Sequence, residues 1–140
     1  GRFNNRLDDK NRIRIPAKFK AELGADYKLA FAPGNCIYVL PQNEYRKILD
    51  GFGEASFFDA EKQEAIAAFT GMVYDVTEDN QGRIVIPSEL KEYAQIDKDI
   101  VITGAAAYLR IEAAERFAER TKGVNMADVF ARLNAIGKGE

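Results

Sequence analysis

The chain has 140 residues, of which 46% are hydrophobic and 30% charged, and its formal net charge is −2. This length suits one domain with a sizeable core, or two very small modules that share one. The chain has no histidine, which excludes imidazole bases and histidine-ligated metal, and its single cysteine excludes an internal disulfide and a thiolate zinc site. We therefore expect no catalytic residues, metal, cofactor or small-molecule substrate.

The sequence also gives no sign of export or of a membrane span. No apolar run approaches the roughly 20 residues that a transmembrane helix needs, and no charged-then-apolar leader stands at the start. Cys36 lies beside an apolar run, which is typical of a buried free thiol in a reducing compartment. We expect a cytoplasmic protein.

The first elements along the chain are a strand, a turn and a second strand. Residues 4–7 read as a short strand, residues 8–11 as a polar turn, and residues 12–15 alternate with period two until Pro16. This pattern predicts a β-hairpin, with Asn11 at a position that requires positive φ. A short amphipathic helix over 17–23 and strands over 28–32 and 37–40 are predicted next.

Helical sequence follows this first unit. An apolar stripe at helical spacing predicts one helix, through Tyr45, Ile48, Leu49 and Phe52, and a second helix is predicted over about 59–70. These helices need a surface to cover. They either cap the β-rich part of the same chain or pack against a neighbouring subunit.

The second half of the chain repeats the first. Residues 79–91, DNQGRIVIPSELK, align without a gap with residues 8–20, DDKNRIRIPAKFK, at an offset of 71. Gly82 stands at the position of Asn11, as a shared positive φ would require. A helix over 88–94, strands over 99–103 and 107–111, and a helix in the tail over 124–136 complete the prediction. A duplicated half-fold is indicated.

Positive charge is concentrated in the first repeat. Residues 1–20 hold seven basic and two acidic residues, a net +5, whereas the rest of the chain is at −7. On a strand, Arg12 and Arg14 share one face, opposite Ile13, beside the turn that carries Lys10. A two-stranded ribbon fits the major groove of DNA, and arginine suits phosphate and guanine.

The second repeat carries less positive charge. It retains Arg83 but has Val85 at the position of Arg14, and residues 74–91 have a net charge of −2. We therefore expect the first turn to dominate any DNA binding, so that replacing Arg12 weakens binding more than replacing Arg83. A solvated edge hairpin with protective charges is the alternative.

The paired motifs DDKNRIRIP and DNQGRIVIP, each followed by a short helix and two strands, resemble the MraZ family of bacterial transcriptional regulators. The halves also resemble AbrB/MazE swapped-hairpin modules. The resemblance implies a β-rich α+β fold in which two AbrB-like half-modules form a pseudo-twofold β-barrel flanked by α-helices. The implied organisation is module 1 over 1–46, connecting helices over 47–72, module 2 over 73–118 and a helical tail over 119–140.

The resemblance also implies an activity. It implies sequence-specific binding of double-stranded promoter DNA by a ring-shaped homo-oligomer associated with the nucleoid. The regulated genes would be the division and cell-wall cluster, including the protein's own gene, with autoregulatory repression expected. The motif positions carried over as DNA-binding are Lys10, Arg12 and Arg83, and strand alternation adds Arg14. The turn-ordering positions are Asp8, Asn11, Asp79 and Gly82, of which Asn11 replaces the glycine that the family prefers.

Two other functions remain open on the residues alone. The first is an AbrB-like assembly or antitoxin-type module that binds a protein partner, which the acidic bulk of the chain would suit. The second is an enzyme that uses carboxylates alone, since the chain has 22 acidic residues.

Overall fold

The computed structural model describes residues 1–138 and shows the mixed α+β fold that the sequence predicts. These residues form eight strands and six helices. The strands are Arg2–Arg6 (β1), Arg12–Arg14 (β2), Tyr27–Ala32 (β3), Cys36–Pro41 (β4), Tyr74–Asp75 (β5), Arg83–Val85 (β6), Asp99–Ala105 (β7) and Tyr108–Ala113 (β8). The helices are Ala17–Leu23 (α1), Gln42–Phe52 (α2), Ala60–Gly71 (α3), Ser88–Tyr93 (α4), Ala114–Thr121 (α5) and Met126–Gly137 (α6).

The strand order is symmetric in the two halves of the chain. Six strands form an antiparallel sheet in the order β1-β7-β8-β4-β3-β5, and β2 pairs only with β6 in a second sheet. Strands β1 to β4 correspond in order to β5 to β8. When each strand is replaced by its counterpart, the larger sheet has the same order in the opposite direction. Strands β1 and β5 each pair with a strand of the other half. The two halves therefore exchange strands, and neither has a complete sheet of its own.

Two expectations differ from the observed sheets. The predicted hairpin of residues 4–7 with 12–15 does not form, because β1 pairs with β7 and β2 pairs with β6. Among residues 1–138 no closed barrel is found either, since β1 and β5 are the two edges of the larger sheet. The predicted turn forms, but the strand that follows it, β2, is outside the larger sheet and pairs with its counterpart β6 from the other repeat.

One hydrophobic core joins the two sheets. Ile13 and Ile84, directly paired across β2 and β6, are 3% and 1% exposed and belong to the same buried cluster as Ile37, Ile102 and Ile111 of the larger sheet. The outward-facing residues of β2 and β6 are consequently on the opposite side from the core. This arrangement presents both turns and their strands to solvent.

All five predicted helices are present. Helix α1 has the predicted bounds, and α2, α3, α4 and α6 overlap the predicted segments to within a few residues at each end. Helix α5 was not predicted. Two of the predicted module boundaries, after residues 46 and 118, fall within α2 and α5. Within the described residues, no helix has both the length and the apolar character needed to cross a membrane.

Candidate nucleic-acid interface

The turn over residues 8–11 is organised by one carboxylate. Asp8 Oδ1 accepts hydrogen bonds from the backbone N–H groups of Lys10 and Arg12, both at 2.9 Å, and Oδ2 accepts one from Arg12 Nε at 2.8 Å. The backbone of Asn11 donates to Asp8 O at 3.0 Å, and Asn11 adopts a φ of 59°. Asn11 tolerates this left-handed conformation because its short polar side chain reduces the steric cost.

The turn over residues 79–82 has the same hydrogen bonds. Asp79 Oδ1 accepts from the backbone N–H groups of Gln81 and Arg83 at 2.9 Å, and Oδ2 accepts from Arg83 Nε at 2.7 Å. Gly82 has a φ of 74°, so the positive φ predicted for both turns is present. The repeated sequence therefore folds into two copies of one turn.

The two turns lie side by side. Arg12 Nη1 is 4.0 Å from Asp79 Oδ2, so the guanidinium of the first turn faces the carboxylate of the second. The side chains of Arg12 and Arg83 are only 23% and 26% exposed, because each packs along its own aspartate. Their Nε atoms are used within the protein, whereas their terminal Nη groups donate no hydrogen bond among residues 1–138.

The strands that follow the two turns, β2 and β6, have a basic outer face. Ile13 and Ile84 point into the core, so the outward positions of β2 and β6 are Arg12, Arg14, Arg83 and Val85. Arg12 is opposite Val85, and Arg14 is opposite Arg83. The structure thus brings three of the four predicted DNA-binding residues onto one ribbon, with Lys10 exposed on the adjacent turn.

Basic residues of each repeat reach the turn of the other repeat. Arg14 Nε donates to the backbone oxygen of Gln81 at 2.7 Å, and Lys91 Nζ donates to Asn11 Oδ1 at 3.0 Å. Lys20, the counterpart of Lys91, lies near the second turn, where an ideal Cβ on Gly82 would be 4.0 Å from its Nζ. No role was predicted for Lys20 and Lys91, although their recurrence at the offset of 71 is a signal that could have identified them.

Lys20 is also part of a short polar network. Its Nζ donates to Glu78 at 2.8 Å, and Tyr27 Oη donates to the other oxygen of Glu78 at 2.9 Å. The hydrogen bond from Lys20 lowers the pKa of Glu78, and burial raises the pKa of Tyr27. Glu78 therefore remains ionised and offsets one positive charge beside the second turn.

The turn hydrogen bonds make both aspartates stronger acids. The backbone N–H of Arg12 lowers the pKa of Asp8, and the backbone N–H of Arg83 lowers that of Asp79 from 3.8 to about 2. A folded-state pKa below the unfolded value adds stability that is fully present above the unfolded pKa. That stability is lost as the pH falls through the folded pKa.

We expect the stability contributed by Asp79 to disappear between pH 4 and pH 2, because its pKa lies at about 2 in the fold against an ordinary 3.8. Urea unfolding of the wild type and of Asp79→Asn across this range measures the effect. The wild type should lose free energy of unfolding more steeply than the variant. Parallel profiles for the two proteins down to pH 2 would contradict the assigned role of the carboxylate.

Residues suited to a metal are not clustered. Among residues 1–138, no group of three or more cysteine, aspartate or glutamate side chains is arranged to hold a metal ion. Cys36 is buried, and burial raises the pKa of its thiol. The candidate site is therefore the basic ribbon and its two turns.

Comparison with known proteins gives a consistent set of relatives. A family model described as "MraZ protein, putative antitoxin-like" matches residues 1–66 and 69–132. The chain is similar to "Transcriptional regulator MraZ" of Clostridium tetani, with 34% identity over 138 residues, covering 98% of this chain and 97% of the relative. Proteins of the same name from Salinispora tropica (34% identity; 95% and 92% covered) and Syntrophomonas wolfei (34%; 85% and 83%) are also similar.

Proposed function

The chain belongs to the MraZ family of transcriptional regulators, which is not a family of enzymes, and from this premise we propose that it binds promoter DNA sequence-specifically through the β2–β6 ribbon and its two turns. The observation that carries the proposal is the pair of turns in which an aspartate holds an arginine by Nε and leaves its Nη groups without a hydrogen bond among the described residues. Such a side chain is already oriented before DNA arrives.

The shape and chemistry of the ribbon support this proposal. A two-stranded β-ribbon enters the major groove, which is about 12 Å wide. Arginine recognises the O6 and N7 atoms of guanine through two parallel hydrogen bonds. Arg12 and Arg83 are the candidates for this contact, because each is held in place by its own aspartate. Lys10, exposed at the tip of the first turn, is suited to a phosphate.

The two aspartates have a supporting role in this proposal. A carboxylate repels DNA phosphates, so Asp8 and Asp79 are not expected to contact the backbone. Their hydrogen bonds hold the turn and the arginine in one conformation, which reduces the ordering cost of binding. Asn11 and Gly82 contribute the left-handed conformation that lets each turn close.

The regulated genes follow from the family resemblance rather than from the geometry. We propose that the chain acts on the division and cell-wall gene cluster that includes its own gene, as an autoregulatory repressor. Its place would be the cytoplasm, in association with the nucleoid.

We propose further that the chain works as a ring-shaped homo-oligomer. The support is a set of large apolar side chains that the fold leaves exposed outside the basic ribbon: Phe57, Phe58, Met126, Phe130, Leu133 and Ile136. Phe57 and Phe58 are 82% and 90% exposed between α2 and α3. Phe57 and Phe58 contact each other, and the other four share one side of α6. Exposed apolar patches of this kind mark protein interfaces.

We expect Arg12→Ala to reduce the affinity for the protein's own promoter fragment by about 1–3 kcal/mol and to relax sequence preference. The matched control is Arg12→Lys, which keeps the charge but has no forked donor. It should retain affinity for unrelated duplex DNA while losing the preference for the promoter. Gel-shift titrations of both duplexes at several salt concentrations measure these effects.

Each neutralised phosphate contributes a slope of about −0.9 in log K against log salt, so the wild type should lose affinity steeply as salt rises. Wild-type protein that binds neither duplex would refute the proposed function. The partner-protein alternative would then be favoured.

A further inference from the structure

We propose that Arg14 and Lys20, both from the first repeat, form a phosphate-binding site beside the second turn. The site would take one backbone phosphate of the DNA, and the inference rests on the proposed function. In the sequence, both residues follow closely after the first turn. The folded chain places them around Gln81 and Gly82 instead.

The two basic side chains border one cavity. It has a volume of about 410 Å³ and is lined by polar residues and glycine on one part and by apolar residues on the other: Asn5, Arg14, Lys20, Gln81 and Gly82, and Phe3, Ile15, Pro16 and Ala17. Arg14 is tethered at its entrance by two hydrogen bonds to Gln81, from Nε to the backbone oxygen at 2.7 Å and from Nη2 to Oε1 at 3.4 Å. Nη1 and one Nη2 hydrogen remain for a ligand.

Lys20 also has an N–H donor that the protein does not use. Its Nζ lies 2.8 Å from the Glu78 carboxylate and donates to no other residue in the described structure, and an ammonium group carries three donors. The cavity thus has two cations in its lining, and the Glu78 carboxylate, outside that lining, is bound to one of them. A phosphate oxygen between them would accept charge-assisted hydrogen bonds from both side chains, which are stronger than neutral ones.

The corresponding place beside the first turn is built differently. Val85 stands at the position of Arg14 and is 57% exposed. The first turn therefore has no guanidinium at that position. Lys91 stands at the position of Lys20, but its Nζ is bound to Asn11 Oδ1 at 3.0 Å. Gly82 has no side chain with which to hold Lys20 in this way. The site is therefore specific to the second turn.

This exchange of residues reduces the charge difference between the two turns. The charged groups that lie beside the first turn have a net charge of +2, and those beside the second turn +1: Lys10, Arg12, Lys91 and Lys98 with Asp8 and Asp9 at the first, and Arg14, Lys20 and Arg83 with Glu78 and Asp79 at the second. Part of the surplus charge of the first repeat consequently serves the second turn, so Arg12→Ala should weaken binding more than Arg83→Ala, but by a smaller margin than the charges of the two repeats alone imply.

The test uses residues that the two repeats exchange. Arg14→Val installs the side chain found at the corresponding position of the second repeat, and Val85→Arg does the reverse. We expect Arg14→Val to reduce the salt slope of promoter binding by about 0.9, with an equal loss of affinity for promoter and unrelated duplex. The double variant Arg14→Val with Val85→Arg restores the net charge but should not recover the slope, because Lys91 beside the first turn is bound to Asn11. Arg46→Gln, which removes one exposed charge from α2, should leave it unchanged.

A second measurement keeps the inference independent of promoter recognition. Inorganic phosphate titrated into the wild type should shift the backbone amide NMR signals of Gln81 and Gly82, and the shifts should be lost in Arg14→Val. An unchanged salt slope in Arg14→Val, with wild-type DNA binding intact, would overturn the inference alone. A loss confined to the promoter would also overturn it, since Arg14 would then read bases. Phosphate shifts without DNA binding would support the site and refute the proposed function, and absence of both would refute the two together.

Discussion

Replacing Arg110 and Arg120 by methionine should lower the free energy of unfolding by about 3 kcal/mol, because it leaves a buried carboxylate without a cation. Glu112 is 1% exposed and accepts hydrogen bonds from Arg110 Nε at 3.3 Å and from Arg120 Nε at 3.2 Å. Its other oxygen accepts one from Arg120 Nη2. The carboxylate raises the pKa of Arg120 by this contact.

The two sides of this ion cluster should respond unequally. Arg120 is 45% exposed, so it can return to water when Glu112 is removed, whereas Glu112 cannot. We therefore expect the triple variant with Met at 110, 112 and 120 to regain most of the lost stability, since packed apolar side chains can replace a buried ion pair. Denaturant unfolding compares the proteins.

The ion cluster also offers a control for the DNA proposal. Arg110, Glu112 and Arg120 belong to β8 and α5, outside the ribbon and its turns. The double variant, while folded, should keep the wild-type salt slope on promoter DNA. A double variant as stable as the wild type would contradict the argument from burial.

The same cluster explains why α5 escaped prediction. Its sequence AERFAERT has one large apolar residue, Phe117, and therefore no apolar stripe to reveal a helical period. What anchors it is Arg120 on the buried carboxylate of β8, a contact between residues that no local pattern connects. Helix α2 was predicted because its apolar residues Tyr45, Ile48 and Leu49 recur at helical spacing in the sequence.

The turns show the same division between local and long-range information. Asp8, Asn11 and Arg12 lie within five residues, and polar turn residues at fixed spacing predict the left-handed position. Strand exchange cannot be read in this way, because β2 has a three-residue ladder with β6, about 70 positions away. The predicted hairpin was wrong for this reason, and with it the assignment of Arg14 to the first turn.

Helix α6 exposes a row of large apolar side chains. Met126, Phe130, Leu133 and Ile136 are 54%, 61%, 57% and 69% exposed, and their spacing places them on one side of the helix. Asn125 caps its first turn by accepting from the backbone N–H of Ala127 at 2.9 Å. A capped helix with an uncovered apolar face suits the contact between subunits in the proposed ring.

Phe130→Glu combined with Leu133→Glu should therefore dissociate the oligomer, because an interface would have to bury two unpaired charges. Binding to tandem promoter sites should fall by at least about 100-fold, since linked sites gain on the order of 10² to 10⁴ from multivalency. Binding to a single site should change little, as the ribbon is untouched. Mass measurement in solution and titrations on one-site and tandem-site duplexes check both results.

The matched control adds the same two charges to the other face of the helix. Ala131→Glu with Ala135→Glu should keep the wild-type mass and the tandem-site affinity, because 100° per residue places these positions away from the apolar side. A wild-type protein that is monomeric at the concentrations used for binding would contradict the assembly outright. Equal dissociation by both pairs of substitutions would show instead that added charge alone, and not the apolar face of α6, governs the contact.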